Sequence, residues 1–394
     1  MTLQDRWLLP DGIDEAMPPH AASIERLRRD ILDLFASWGY ELVMPPLVEY
    51  LESLLTGLGS DLDLQTFKFT DHLTGRLMGI RADITPQVAR IDSHTLKREV
   101  PARLCYLGPV LHTRSGGFAG SRNPLQAGAE LYGHKGLASD LEVLNLMLET
   151  LRLAGQPKVL VSVGHIGIFK GLSARLGVSA EQEAALFDAL QRKSSGELQQ
   201  LLENADASDR AAFIELTELN GGAAILDEAR VVLANAGHEV GEALAELQRI
   251  ADRVTGNLGA AELHFDLGEL QGYRYHTGVM FEAYVPGQGA AVAWGGRYDD
   301  VGSVFGRARP AIGFSTDLKH LARIGSAKTE RDVRAAIFAP SDEDPALSEE
   351  IARLRARGEC VVVAFADQSG DAVALGCTRA LRKTNKGWSI KDIE

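Results

Sequence analysis

Ile24, Leu27, Ile31, Leu34 and Trp38 recur at alternating steps of three and four, which draws one apolar stripe and predicts a helix. Ser23 is its expected N-cap and Gly39 its expected stop. Pro45-Pro46 then forces extended chain. Residues 100–112 predict a strand running into a Gly- and Ser-rich loop. Leu141, Leu144, Leu148 and Leu151 mark a second amphipathic helix, closed by Gly155 and Pro157, and Val159–Val163 predicts a short strand. From about 170 to 258 the chain is rich in Ala, Leu, Glu and Gln, lacks Pro and shows no strand-like alternation. Several short helices are expected there. Strand patterns return at Leu263–Leu267, Arg274–Val285 and Ala290–Trp294, and Gly295–Asp299 is expected to turn. Residues 310–324 predict a strand leading into a helix. Beyond the polar stretch Ala327–Asp332, the pattern predicts a strand at 333–339, a helix at 346–357, a strand at 359–366 and a hairpin over 377–392.

This pattern divides the 394 residues into a core over 1–326, carrying a helical insertion at about 170–258, and a small α/β domain over 327–394. Acidic residues outnumber basic ones, and the net charge of −13 argues against a primary hold on DNA or RNA phosphates. Three cysteines, Cys105, Cys360 and Cys377, are too few and scattered for a disulfide framework or a zinc site. The first ten residues lack the basic and apolar regions of a secretion signal, and the apolar run Cys360–Ala366 reaches only about a third of a membrane span. A cytoplasmic protein without membrane attachment, metal or cofactor is expected.

Four polar clusters stand out. Arg81-Ala-Asp-Ile-Thr-Pro86 fits a helix opening with Thr85 as N-cap, although Asp83 and Thr85 together offer more acceptors than one cap needs. Gln126 and Glu130 fall on one face of a strand over Leu125–Tyr132, facing either solvent or a polar pocket. In Gln271–Gly278, Tyr273, Tyr275 and Thr277 share one strand face, Arg274 and His276 the other. Trp294-Gly-Gly-Arg-Tyr-Asp299 permits a turn or close backbone approach. Nucleotide P-loops, dinucleotide fingerprints, nucleophile elbows and zinc-protease motifs are all missing. The residues by themselves support a polar pocket on an antiparallel sheet, with its ligand open.

Taken in order, these clusters resemble the catalytic core of class II aminoacyl-tRNA synthetases, and histidyl-tRNA synthetase in particular, over roughly 8–325. Tyr106–Val110 and Gln126–Glu130 look like the strands of motif 2, Gln271–Gly278 like the histidine signature, and Pro310–His320 like motif 3. The resemblance implies an α+β fold, an antiparallel sheet flanked by helices. It also implies histidine-binding roles for Asp83, Thr85, Gln126, Glu130, Tyr275 and His276. The departures fall on charge. His112 and His320 replace arginines that grip ATP phosphates, Gln271 replaces the arginine opening the histidine signature, and Arg114 inverts a glutamate. Removing one electrostatic stabiliser typically costs on the order of 100- to 1,000-fold in rate. A retained amino-acid pocket beside a dismantled ATP site is similar to the ATP phosphoribosyltransferase regulatory subunits, which lack aminoacylation. That resemblance implies a hetero-octamer of four regulatory and four short-form catalytic chains in the first step of histidine biosynthesis, with L-histidine as inhibitor. The alternatives are a divergent active histidyl-tRNA synthetase and a stand-alone histidine-sensing module.

Overall fold

The structure, a computed structural model, describes residues 7–55, 60–115, 120–254, 261–270, 275–325, 336–366, 371–385 and 387–393. Two compact units divide the chain, Met1–Gly325 and Ser326–Glu394.

The first helix spans His20–Ser37 and buries Ile24, Ile31 and Phe35. It begins three residues before Ser23, which lies inside it: Pro19 stands at the N-cap, where its missing N–H costs nothing. Gly39, at φ +82°, takes the left-handed conformation just past the helix end.

Twelve strands follow in the first unit: β1 (Glu41–Leu42), β2 (Val48–Tyr50), β3 (Phe67–Thr70), β4 (Leu77–Ile80), β5 (Ala102–Pro109), β6 (Leu125–Tyr132), β7 (Val159–His165), β8 (Asn220–Gly221), β9 (Ala261–Asp266), β10 (Val279–Tyr284), β11 (Ala293–Arg297) and β12 (Ala311–Asp317). Nine of them form one sheet in the order β1-β5-β6-β12-β11-β10-β7-β9-β8. The six from β5 to β7 are antiparallel throughout. Toward the edges β1 runs parallel to β5 and β9 parallel to β7, so the expected antiparallel sheet is the centre of a mixed one. Strands β2, β4 and β3 make a separate small sheet. The helices His20–Ser37 and Leu137–Leu153 contribute Phe35, Val143, Leu146 and Met147 to the main core, where Phe35 meets Phe314 of β12 edge to face at 6.0 Å.

Two local expectations fail. Gly295 and Gly296 lie within β11 rather than in a turn. A Cβ at Gly295 would overlap the Gly313 carbonyl and the Phe281 ring, and one at Gly296 would overlap the His276 ring, so the glycine pair serves close packing. The described part of the histidine signature, Tyr275–Gly278, is turn and loop rather than strand, and β10 starts only at Val279. The face alternation predicted there does not exist; Tyr273 and Arg274 lie outside the described residues.

Between β7 and β9 the described residues form helices and their connections apart from the two-residue β8, a strand that the hydrophobic pattern does not show. The last helix of this stretch, His238–Val254, buries Val240, Ala243, Leu244, Leu247, Ile250, Ala251 and Val254, which recur at helical spacing. In the second unit, β13 (Ala336–Ala339), β14 (Val361–Val363), β15 (Cys377–Thr384) and β16 (Gly387–Asp392) form a sheet in the order β14-β13-β15-β16. The helix Pro345–Ala356 supplies Leu347, Ile351 and Leu354 to a core with Ile337, Val361 and Leu381.

Candidate ligand-binding site

The strand period of two puts Gln126, Gly128 and Glu130 on one face of β6. Register then sets Tyr106 of β5 opposite Gly128 and Gly313 of β12 opposite Glu130. Both glycines are needed. A Cβ at Gly128 would overlap the Tyr106 hydroxyl, and a Cβ at Gly313 would overlap Glu130 Oε2.

Over this face lies the start of the helix Thr85–Arg90. Thr85 is not the N-cap, a place taken by Ile84; its hydroxyl instead donates to Glu130 Oε1 at 3.0 Å and stands 2.9 Å from the Tyr106 hydroxyl. Asp83 takes the capping role, its Oδ1 accepting from the Thr85 amide at 3.0 Å and from Gln126 Nε2 at 2.7 Å. Gln126 Oε1 in turn accepts from the Ile84 amide at 2.9 Å, so the carboxamide is held at both ends. Tyr106 also donates to Glu130 Oε1 at 3.1 Å, and Tyr298 donates to Oε2. The Tyr298 hydroxyl lies 3.2 Å from that of Tyr132.

Glu130 is fully buried, and desolvation pushes its carboxyl up to about 8, with the charge of Asp83 adding to the rise and the Tyr298, Thr85 and Tyr106 hydroxyls opposing it. Tyr275 stacks at a tilt on Tyr298, ring centroids 5.0 Å apart, and meets the edge of His276 at 5.6 Å. Its hydroxyl is buried and has no hydrogen-bond partner among the described residues. Tyr275 is thus, among the described residues, a buried donor without an acceptor within the electrostatic reach of Glu130.

The structure therefore brings Asp83, Thr85, Gln126 and Glu130 into one hydrogen-bonded network and joins Tyr275 to it through Tyr298. His276 lines an adjoining cavity of about 990 Å³ instead. Tyr106, Tyr132 and Tyr298 belong to the network as well; the sequence places Tyr298 in a polar cluster and Tyr106 in the motif 2 strand but gives none of the three a role. The one available signal is Tyr106 at even spacing from Gly108 on β5, which needs the register with β6 to acquire meaning.

His112 and His320, which the resemblance leads one to expect where a synthetase grips phosphates, both have local partners. His112 Nε2 is 2.9 Å from the Ala82 carbonyl oxygen. His320 Nδ1 sits 2.8 Å from an Arg323 Nη, and burial together with the Arg323 charge pushes its imidazole below the ordinary range, favouring the neutral form. Gln271 lies outside the described residues. Arg114 and His112 both line the large cavity, but β5 ends at Pro109, so the two share no strand face.

Residues 12–321 match the family model of histidyl-tRNA synthetase, and residues 334–391 match that of the ATP phosphoribosyltransferase subunit HisZ C-terminal domain. A curated ATP phosphoribosyltransferase regulatory subunit from Thioalkalivibrio sulfidiphilus is 57% identical, with all of both chains covered. Another from Nitrosococcus oceani is 55% identical over all of this chain and 98% of the relative. The chain belongs to the ATP phosphoribosyltransferase regulatory subunits. Such a subunit is a non-catalytic member of histidine biosynthesis that works with an ATP phosphoribosyltransferase catalytic subunit. The fold agrees. The crystal structure of an ATP phosphoribosyltransferase regulatory subunit/histidyl-tRNA synthetase from Bacillus halodurans superposes with a TM-score of 0.82 at 28% identity, covering 95% of this chain and 97% of that one. A histidyl-tRNA synthetase from a Nostoc species shares the fold, with a TM-score of 0.77 at 18% identity over 98% of this chain and 94% of that one.

Proposed function

We propose that this regulatory subunit activates a short-form catalytic subunit by assembling with it in the cytoplasm, four chains of each, and inhibits it when histidine occupies the Glu130 pocket. Asp83, Thr85, Gln126, Glu130 and Tyr275 are the proposed contacts, with His276 at the pocket's edge. One observation carries the reading: among the described residues the buried Tyr275 hydroxyl lacks a partner, close to a carboxyl already held by three hydroxyls. The Asp83 carboxylate matches an ammonium group, whose approach would also draw the proton off the raised Glu130 carboxyl, and a hydroxyl donor matches an imidazole nitrogen. Histidine acts by favouring one state of the assembly over another, so catalytic-subunit docking changes histidine affinity by the same factor that histidine changes docking.

Calorimetric titration tests the pocket. Histidine should bind the native chain with one site, and Asp83→Ala together with Glu130→Ala should weaken it by at least about tenfold, the usual scale for lost charged hydrogen bonds. Unchanged affinity would place the histidine site elsewhere. Histidine-dependent ATP–pyrophosphate exchange should be absent; measurable exchange would favour a divergent synthetase.

A further inference from the structure

The adjoining cavity of about 990 Å³ is floored by β7, β10 and β11 and includes Ser162, Glu269, Met280, Glu282, Tyr284 and Trp294 in its lining. Its volume is that of a small-molecule site. Glu269 and Glu282 face the same space and repel each other. Glu269 Oε1 is buried and has no hydrogen-bond partner among the described residues, whereas Glu282 Oε2 accepts from the Tyr284 hydroxyl at 2.5 Å. The basic neighbour acting on Glu269 is Lys193, and its ammonium is taken by Asp266 at 2.8 Å. Arg114 lines the cavity from the segment after β5 and is not among the charges that act on either glutamate. Among the described residues Glu269 Oε1 is a buried acceptor without a donor, and it lies on the same cavity as the half-buried Glu282 carboxyl. The described residues form no group of three or more ligating side chains suited to a metal ion. Met280, Phe281 and the Tyr284 and Trp294 rings provide apolar and aromatic walls for a hydrocarbon stem and for a cation over a π face.

We propose that this cavity binds a small organic dication, two ammonium or guanidinium groups on a short methylene stem, with one group on Glu269 and the other on Glu282. The site is separate from the Glu130 pocket and does not depend on histidine binding there. Burial pushes both carboxyls above their ordinary range, the charge of Glu282 adds to the rise at Glu269, and a seated cation relieves that cost. A polyphosphate would meet the same two carboxylates as repulsion.

Agmatine, which carries a guanidinium and an ammonium on a four-carbon stem, is the probe for isothermal titration with the full chain. Saturable binding at one per chain is expected, weakened about tenfold in Glu269→Gln, about tenfold in Glu282→Gln and more in the double variant. Thermal melting and histidine titration of each variant separate a lost site from a lost fold. No agmatine binding by a folded native chain up to about 10 mM, on the weak side of the ordinary affinity range, would overturn the proposal. Undiminished binding by the folded double variant, or binding of ATP in agmatine's place, would also overturn it. Displacement of agmatine on assembly with the catalytic subunit would mean that a partner's side chain fills the cavity, and would equally overturn the small-molecule assignment.

Discussion

Glu130 concentrates the chemistry of this chain in one side chain. A carboxyl with no solvent exposure to speak of is held by Thr85, Tyr106 and Tyr298, and its proton leaves at about 8 instead of near 4.5. The sign of the consequence follows from linkage. Below the unfolded value both states are protonated and Glu130 contributes no pH dependence. As pH rises from about 4.5 to about 8 the unfolded chain releases a proton that the folded chain keeps, so folding stability falls through this window and levels above it. Glu130→Gln, which cannot ionise, should gain stability relative to the native chain steadily across that window, by an amount on the order of several kcal/mol. Denaturant melts of both proteins at pH 5, about 6.5 and 8 read this difference directly. A constant gap across the series would show that Glu130 is already ionised in the folded pocket.

Single elements position that carboxylate. Strand β12 passes Glu130 with Gly313 in register, because any side chain there would occupy the space of Oε2. Gly313→Ala should therefore displace Glu130, lower stability by roughly 1–3 kcal/mol as overpacked cores do, and weaken histidine binding; a variant with native melting temperature and affinity would contradict this. Strand β11 is fastened in a different way: Arg297 at its end is buried against Asp140 and Ser139 of the helix Leu137–Leu153 and against Asp299. Much of this was legible in the chain. The period of two in Leu125–Tyr132 places Gln126 and Glu130 together, and the stripe from Ile24 to Trp38 marks the first helix. Other features depended on information that a single segment does not hold. Thr85 followed by Pro86 reads as a helix cap, and only the approach of Tyr106 and Glu130 shows that its hydroxyl turns into the buried network instead. Gly295-Gly296 has the composition of a turn, yet its small residues answer to Gly313, Phe281 and His276, which are distant in sequence. Tyr298 and Tyr132 look like core residues until register brings both hydroxyls to the same carboxylate neighbourhood.

At the scale of the molecule, the chain keeps a synthetase-like core over 12–321 and joins it to the C-terminal domain matched at 334–391. Net charge of −13 offers no general field for tRNA, and no helix among the described residues is long and apolar enough to cross a membrane. The family works with an ATP phosphoribosyltransferase catalytic subunit, and the Glu130 pocket is proposed to answer to histidine within that partnership. The most direct test is the phosphoribosyltransferase rate of the catalytic subunit, measured alone, with this chain, and with this chain plus histidine. The rate should rise on addition of the chain and fall when histidine is added. With Asp83→Ala and Glu130→Ala in place the rise should persist and the fall should disappear. A rate no different from that of the catalytic subunit alone, or equal histidine inhibition in the pocket variant, would contradict the account.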